Sequence, residues 1–305
     1  MSCVLCKQKK FKIVSSVDSK NNSLLKVVFC KVCGMVQQDP IPSEDDVNEY
    51  YSNEYRQDYK KTYVPKIKHV FRAGNLGLDR IRFLKNRGVI NGRLLDVGAG
   101  GGEFTYLSSK LGFMSQGIEP NIGYSSYARD EYGIQIETGQ LSDVNSKFNV
   151  ITMFHALEHI PDPVRTFGLI FDLLEKDGCL LIEVPNIETN DASPHNIYFK
   201  AHIHYFSAAT LVCAASKYFE KIDIVSDSNL RILFKRKDVL GDLIFPSTAQ
   251  VDMTDIRLKK KGWLEYIFKG GGYKKLPLRI SKVFIESRLR NKQGLQMLNE
   301  MIKNN

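Results

Sequence analysis

Four cysteines near the N-terminus, Cys3, Cys6, Cys30 and Cys33, form two pairs of CxxC spacing with 23 residues between them. Thiolates so spaced suit a tetrahedral metal ion, and four sulfur ligands leave no open position, so the pattern predicts a closed, structural Zn2+ site. Cys179 and Cys213 fall in apolar stretches and read as core residues. The run HALEH at 155–159 places His155, Glu158 and His159 at i, i+3 and i+4, one face of a helix if a helix forms there. Its letters also fit the HxxEH metalloprotease pattern, a reading that needs a protease fold the flanking residues do not spell. The run DVGAGGG at 96–102 alternates Gly98, Gly100 and Gly102 as GxGxG behind Asp96, unlike the GxGxxG of a dinucleotide site. A turn of this kind between strand and helix brings backbone N–H groups against a ligand. Glu119, in the run GIEP, follows about 20 residues later, where an acid can accept ribose hydroxyls.

Regular elements must position these residues. From Arg93 the chain alternates strand, glycine-rich turn, helix and strand: RLLDVG, AGGGE, FTYLSSKL, FMSQGIE. A helix over 122–132, strands over 134–137 and 148–154, a helix over 164–174 and a strand over 179–184 continue the pattern. Repeated strand and helix units with apolar strands predict an α/β fold, a doubly wound, mostly parallel sheet covered on both faces. After a helix over 208–219, KIDIVSD and LRILFKR predict an antiparallel hairpin at the sheet edge. Upstream, strands over 11–15 and 24–29 flank the turn-prone run DSKNNS, a hairpin between the two cysteine knuckles. Four segments are expected: a zinc-binding ribbon over 1–42, a tyrosine-rich helical linker or cap over 43–90, the main α/β domain over 91–237, and a basic, mainly helical extension over 238–305. The linker should hold a helix over 67–85, and Tyr51, Tyr55, Tyr59 and Tyr63 recur at helical spacing; the extension should hold helices over 264–268 and 280–297.

With 305 residues, 43% hydrophobic and 25% charged, the chain has enough apolar surface for one α/β core plus appendages, which excludes a disordered chain. The sequence has no apolar run long enough for a membrane span, and MSCVLCKQKK lacks the apolar stretch of a secretion signal, so a cytoplasmic location is expected. The formal charge of +9 is concentrated past residue 230, where 17 Lys and Arg face 7 Asp and Glu. Such a tail is ordinarily a solvated face, but it also attracts phosphates, acidic lipid or nucleic acid.

Over residues 88–236 the runs LLDVGAGGGEF, GIEP and FNVITMFHALEHIPDP stand in the order and spacing of class I S-adenosylmethionine-dependent methyltransferases, and the chain resembles that family. The resemblance implies a Rossmann-like, seven-stranded sheet with an antiparallel edge strand. It also implies a cofactor site in which Asp96, Gly98, Gly100 and Gly102 meet the methionyl part, Glu119 and Pro120 the ribose, and Gln140 and Leu141 the adenine. Phe154 and His155 would border the same site. EHIPDP is similar to the quinone-pathway O-methyltransferases, which carry a carboxylate where His155 stands and can use a divalent ion there; His155 breaks that pattern. In the other reading Glu158 and His159 brace the loop while His155 alone borders the transfer pocket. The segment NIETNDASPHNIYFKAHIHYFS is a long loop able to cover a substrate, and AHIHYFS resembles sugar methyltransferases with an N-terminal zinc module. That resemblance implies His202 as general base, which suits an imidazole titrating near neutral pH, with Tyr198 assisting; Phe199 stands where relatives place a tyrosine. It also gives Tyr55 or Tyr59 a place in lining the pocket.

The expected activity is therefore methyl transfer to a small polar acceptor of sugar, nucleotide-sugar or glycan-precursor type. Residues 238–305 are too few for the further α/β domain of relatives that methylate sugar carbon, which favours O-methylation. Two alternatives stand beside it: an RNA methyltransferase using ribbon and basic tail, and a non-enzymatic docking protein of a glycan-synthesis complex or membrane surface.

Overall fold

The computed structural model describes residues 2–49, 65–273 and 293–304. The tyrosines at 51, 55, 59 and 63, and residues 280–292 of the last expected helix, lie outside them. Strands β1 (Phe11–Val17), β2 (Leu24–Cys30), β3 (Val36–Gln38) and β9 (His204–Tyr205) form a four-stranded sheet in the order β1-β2-β3-β9. A second sheet has seven strands in the order β10-β11-β8-β7-β4-β5-β6. Its members are β4 (Gly92–Val97), β5 (Phe113–Glu119), β6 (Gln135–Thr138), β7 (Phe148–Phe154), β8 (Leu174–Pro185), β10 (Phe219–Ser226) and β11 (Asn229–Arg236). Strands β7, β4, β5 and β6 run parallel, and β10 and β11 form the antiparallel hairpin expected at the edge. This is the doubly wound, Rossmann-like α/β sheet that the alternating pattern predicts. Leu94, Leu95, Ile151 and Met153 are fully buried, as strands covered on both faces require. The chain winds outward from β4 through β5 to β6, then returns to β7 on the other side of β4. Ligands bind at such a reversal, outside the carboxyl ends of the strands.

The chain divides into two compact units. One comprises 51–154, 173–180 and 277–305. In it the helix Ile67–Lys85 packs on the helices Glu103–Lys110 and Gly294–Lys303. Two glycines let it come close: a Cβ on Gly77 would stand 3.0 Å from Leu107 Cδ1, and one on Gly74 would stand 2.9 Å from both Leu298 Cδ2 and Met301 Sδ. The Tyr106 hydroxyl donates to Asn299 Oδ1 at 2.6 Å, and Leu295 N–H donates to Glu131 Oε1 at 3.0 Å.

The other unit comprises 1–50, 155–172 and 181–276. The expected hairpin β1–β2 is present, with Phe11 opposite Cys30. Two further strands extend it: β3 pairs with β2, and β9, from the His-rich loop, pairs with β3 through Val36 opposite Tyr205 and Gln37 opposite His204. Val27, Phe29, Val36, Tyr198 and Tyr205 share one apolar core with Val251 and Leu258 of the helix Thr248–Lys259. An ion pair between Lys12 and Asp255 and a 2.7 Å hydrogen bond from Thr254 Oγ1 to Glu188 fix that helix further.

Candidate active site

The glycine run folds as a tight turn between β4 and the helix Glu103–Lys110, with Gly98, Gly100 and Gly102 at φ of 71°, 55° and 82°. These left-handed values disfavour any residue with a Cβ. Gly98 N–H and Ala99 N–H donate to the Ile118 carbonyl, which ties the turn to β5. Glu119 is 8% exposed; its Oε2 accepts from Gly100 N–H at 2.9 Å and its Oε1 from Asn121 N–H at 3.0 Å. The glycines differ in what surrounds them. A Cβ on Gly102 would stand 2.7 Å from Ala128 Cβ and Ile134 Cδ1, whereas one on Gly100 would meet nothing within 4 Å. Gly102 is thus required by packing, and Gly100 borders open space beside an acid. That combination, open space over Gly100 with a carboxylate able to accept further hydroxyls, fits the sulfonium nucleoside that the family resemblance implies.

Asp96 faces the other way. It is 2% exposed and accepts hydrogen bonds from Thr105 Oγ1 and Thr152 Oγ1, both at 2.9 Å. Burial lifts its pKa to about 6 against the pull of these hydroxyls and of Arg80. Its side chain clamps β4 to β7 and to the following helix. Phe154 stacks edge-on against Phe104 at 4.8 Å and lies under the Arg80 guanidinium at 4.0 Å. Pro120 and Gln140 are exposed and Leu141 is half-buried. Gln140 opens the short turn Leu141–Asp143, its N–H donating to Asp143 Oδ2 at 2.7 Å.

The helical face expected of HALEH does not form. Only Leu157–His159 make a single 3₁₀ turn, and Ile160, preceding Pro161, is extended at φ −98° and ψ 128°. His155 stands outside that turn at φ 51°, held there by its N–H donating to the Glu183 carbonyl at 2.8 Å. Its imidazole lies between two buried carboxylates, Nδ1 at 3.5 Å from Glu158 Oε1 and Nε2 at 3.3 Å from Glu183 Oε1. Burial opposes its charge, but the two acids prevail and raise its pKa to about 9. Glu183 also accepts from Arg231 Nε at 2.7 Å.

On the other side of Glu158, whose side chain is 2% exposed, stand His159 and His202, with Nε2 atoms 3.8 and 3.9 Å from its Oε1. Burial would raise the pKa of Glu158; the imidazoles of His159, His155 and His202 instead hold it at about 2. Burial lowers His202 to about 3 despite Glu158, so its ring is neutral. Its ring packs on Phe199 at 4.0 Å and on His159 at 4.9 Å. Thus His155, Glu158 and His159 meet His202 from a separate sequence run, while Tyr198, His204 and His195 do not join them. Tyr198, expected to assist, is buried in the ribbon core against Tyr205. His204 is fully buried and bonds the Pro161 carbonyl, and His195 packs on Trp263.

The four N-terminal cysteines converge, with sulfur atoms within 4.8 Å of one another and 3.5 Å between Cys3 and Cys33 and between Cys6 and Cys30. Tetrahedral zinc with sulfur at 2.3 Å sets its ligands about 3.8 Å apart, so the four thiolates fit such an ion. Each knuckle closes alike: Lys7 N–H donates to the Cys3 carbonyl and Gly34 N–H to the Cys30 carbonyl, and both residues are left-handed. The next strand carries two glutamines that the sequence did not single out. Gln37 Oε1 accepts from Val4 N–H inside the first knuckle at 2.9 Å. Gln38 Nε2 donates to the carbonyls of Lys200 and His202, both at 2.9 Å. No motif marks these side chains, because their partners are backbone atoms distant in sequence.

Residues 68–218 match the family model described as a methyltransferase domain. The ubiquinone biosynthesis O-methyltransferase of Actinobacillus pleuropneumoniae serotype 7 is 32% identical over 124 residues, covering 36% of this chain and 53% of that one. The enzyme of the same name from Nitrosococcus oceani is 32% identical over 117 residues, covering 35% and 50%. The chain therefore spans about half the length of these curated relatives. Among solved structures, magnesium protoporphyrin IX methyltransferase from Synechocystis PCC 6803 aligns over 64% of this chain and all of its own, at 14% identity and a TM-score of 0.48. A possible histamine N-methyltransferase from Thermotoga maritima aligns over 63% and 99%, at 20% identity and a TM-score of 0.46. Residues 68–218, just under half of the chain, are thus similar to a methyltransferase domain.

Proposed function

We propose that the chain transfers a methyl group from S-adenosylmethionine to an oxygen of a small polar acceptor, of sugar, nucleotide-sugar or glycan-precursor type. The observation that carries this reading is the turn over 98–102, where Glu119 grips the Gly100 amide beside open space. Bound there, the cofactor supplies a methyl group on a positively charged sulfur. Asp96 and Gly98, Gly100 and Gly102 then form its methionyl cradle, Asp96 by bracing the strand beneath. Glu119 and Pro120 serve the ribose, Gln140 and Leu141 the adenine, and Phe154 and His155 the border.

The chain's own residues must take a proton from the acceptor. His202 is the candidate base: its ring is neutral, burial makes it a weaker base than the near-neutral imidazole expected, and the negative Glu158 nearby favours the imidazolium it would become. His155, held cationic by its two acids, serves as a hydrogen-bond donor rather than a base. Tyr198, packed in the ribbon core, stays outside the proton transfer. The zinc held by Cys3, Cys6, Cys30 and Cys33 is structural, and the ribbon of 1–42 works by holding the His202 loop. The expected segments 43–90, 91–237 and 238–305 then serve as cap, cofactor domain and outer support. Oxygen as the accepting atom is supported by the printed names of the curated relatives.

Calorimetry should show S-adenosylmethionine binding to the wild type and to His202→Ala but not to Glu119→Ala. Methyl label should enter nucleotide-sugar or glycan fractions, and His202→Ala should slow this by about 100-fold or more. The excess of Lys and Arg past residue 230 favours RNA as a second acceptor. Label entering RNA, with affinity falling steeply with salt, would establish that acceptor instead. No binding of S-adenosylmethionine, with a nicotinamide dinucleotide binding well, would overturn both.

A further inference from the structure

The excess of positive charge has a definite address. Residues 259–292 hold 11 Lys and Arg against 2 Asp and Glu, so this stretch carries the whole formal +9 and the rest of the chain is neutral. Large apolar residues interleave with the lysines at its start, and they face solvent. Trp263, Leu264 and Phe268 are 48%, 68% and 71% exposed. They belong to the π-helical turn Glu265–Lys269 and the two residues before it, a turn closed by the Gly270 N–H donating to the Glu265 carbonyl at 2.8 Å. In such a turn residues four and five apart stand over one another, so these three positions share one side. Glu265, Tyr266 and Ile267 fill the half-buried side. Lys260 and Lys269 are exposed at either end and form no ion pair among the described residues.

Exposed apolar side chains scattered singly need no partner, but a cluster on one turn does. The preceding helix Thr248–Lys259 repeats the pattern. Its Val251 and Leu258 face the core, while Met253 and Ile256, about half exposed, lie on the opposite face with Lys260 four residues on. A helix apolar on both faces has a second contact to make. The turn itself is anchored: Lys261 Nζ donates to the Thr189 carbonyl, and Trp263 packs edge-on against His195 at 5.3 Å and Tyr266 at 5.8 Å. Its exposed side chains are therefore held outward on a fixed base.

We propose that this surface, centred on Trp263, Leu264 and Phe268 and flanked by Lys260 and Lys269, docks the protein on an anionic phospholipid membrane. A tryptophan carries a polar N–H on an apolar ring and settles where acyl chains meet headgroups. Leucine and phenylalanine enter the acyl boundary, and lysines reach the phosphates with their stems along the apolar surface. The turn is too short to span a bilayer, so it lies in the interfacial plane. Charge and apolar surface act together: the basic stretch is drawn to the negative membrane, and the exposed side chains leave water on arrival. RNA would neutralise the lysines but leave Leu264, Met253 and Ile256 in water, because bases stack on rings and not on aliphatic chains.

Trp263 is the chain's single tryptophan, so its fluorescence reports this surface and no other. The full chain is titrated with vesicles of phosphatidylcholine alone or mixed with phosphatidylglycerol, at low and at physiological salt. The expected result, with the mixed vesicles only, is a blue shift of the emission and its quenching by lipid brominated on the acyl chains. Binding should weaken as salt rises, since the attraction is screened. Leu264→Ser with Phe268→Ser, and Lys260→Gln with Lys269→Gln, should each weaken partitioning about tenfold or more at a nearly unchanged melting temperature. Absence of the blue shift and quenching on mixed vesicles overturns the inference, as does equal binding to both vesicle types or undiminished binding of either double variant. A response to an RNA oligonucleotide that mixed vesicles cannot displace assigns the lysines to nucleic acid and overturns it as well. Should a double variant fold poorly, quenching of Trp263 in the wild type decides alone. S-adenosylmethionine enters none of these measurements, so the docking surface and the methyl-transfer reading stand or fall separately.

Discussion

At the scale of single residues, the glycine turn separates two roles that the sequence writes with the same letter. Gly102 has Ala128 and Ile134 against it, so Gly102→Ala must strain the backbone at φ 82° and displace those neighbours. The left-handed conformation costs about 1–2 kcal/mol and overpacking about 1–3 kcal/mol. Gly100→Ala carries only the first penalty, because open space lies over it. If that space belongs to the cofactor, the two substitutions split two measurements. Gly102→Ala should lower the melting temperature more, and Gly100→Ala should weaken S-adenosylmethionine binding by about tenfold or more with the smaller loss of stability. Equal loss of binding in both, tracking stability alone, would mean that Gly100 does not border the ligand. Asp96 carries a related lesson: an acid beside a glycine turn invites a ligand role, yet two buried threonines occupy it.

At the scale of elements, the ribbon does more than enclose a metal. Its third strand pairs with β9, and Gln38 reaches across to the two carbonyls around which the His202 loop turns. Rigid support matters because a displacement of about 1 Å at a reacting group can cost about 100-fold in rate. Gln38→Met preserves length and apolar contact but removes both hydrogen bonds, worth about 1 kcal/mol each. It should leave cofactor affinity and the cysteine metal unchanged while lowering kcat about tenfold or more, with faster amide exchange at 200–204 by hydrogen–deuterium exchange. Unchanged exchange there would show that the loop holds itself. The same pairing gives removal of the ribbon metal a path to the histidines, through Gln37, which joins the first knuckle to β3.

At the scale of the molecule, the C-terminal helix Gly294–Lys303 is part of the unit that holds the glycine turn. It lies on Ile67–Lys85, and Leu298 is fully buried beside Gly74. Leu298→Ala should destabilise that unit by about 2–5 kcal/mol. Cofactor binding, which stabilises the folded unit by mass action, should recover part of the lost melting temperature. Urea unfolding with and without S-adenosylmethionine measures both; a change below about 0.5 kcal/mol would mean that the helix is dispensable.

The sequence by itself determined whatever is local or periodic. Apolar strands at regular spacing required a covered parallel sheet, CxxC pairs required a knuckle at each end of a hairpin, and alternating glycines required a left-handed turn after β4. The helix Ile67–Lys85 and the strand Phe148–Phe154 were legible to the residue, since hydrophobic period and length agree there. Tertiary structure alone decided what depends on distant partners. HALEH reads as a helical face, but the proline after Ile160 and the left-handed His155 break it, and its Glu158 and His159 find His202 some 43 residues later. That Tyr198 enters a core while His202 meets a carboxylate follows from the pairing of β9 with β3. Pairing between distant strands leaves no period in the intervening chain, so only the folded molecule can bring those side chains together.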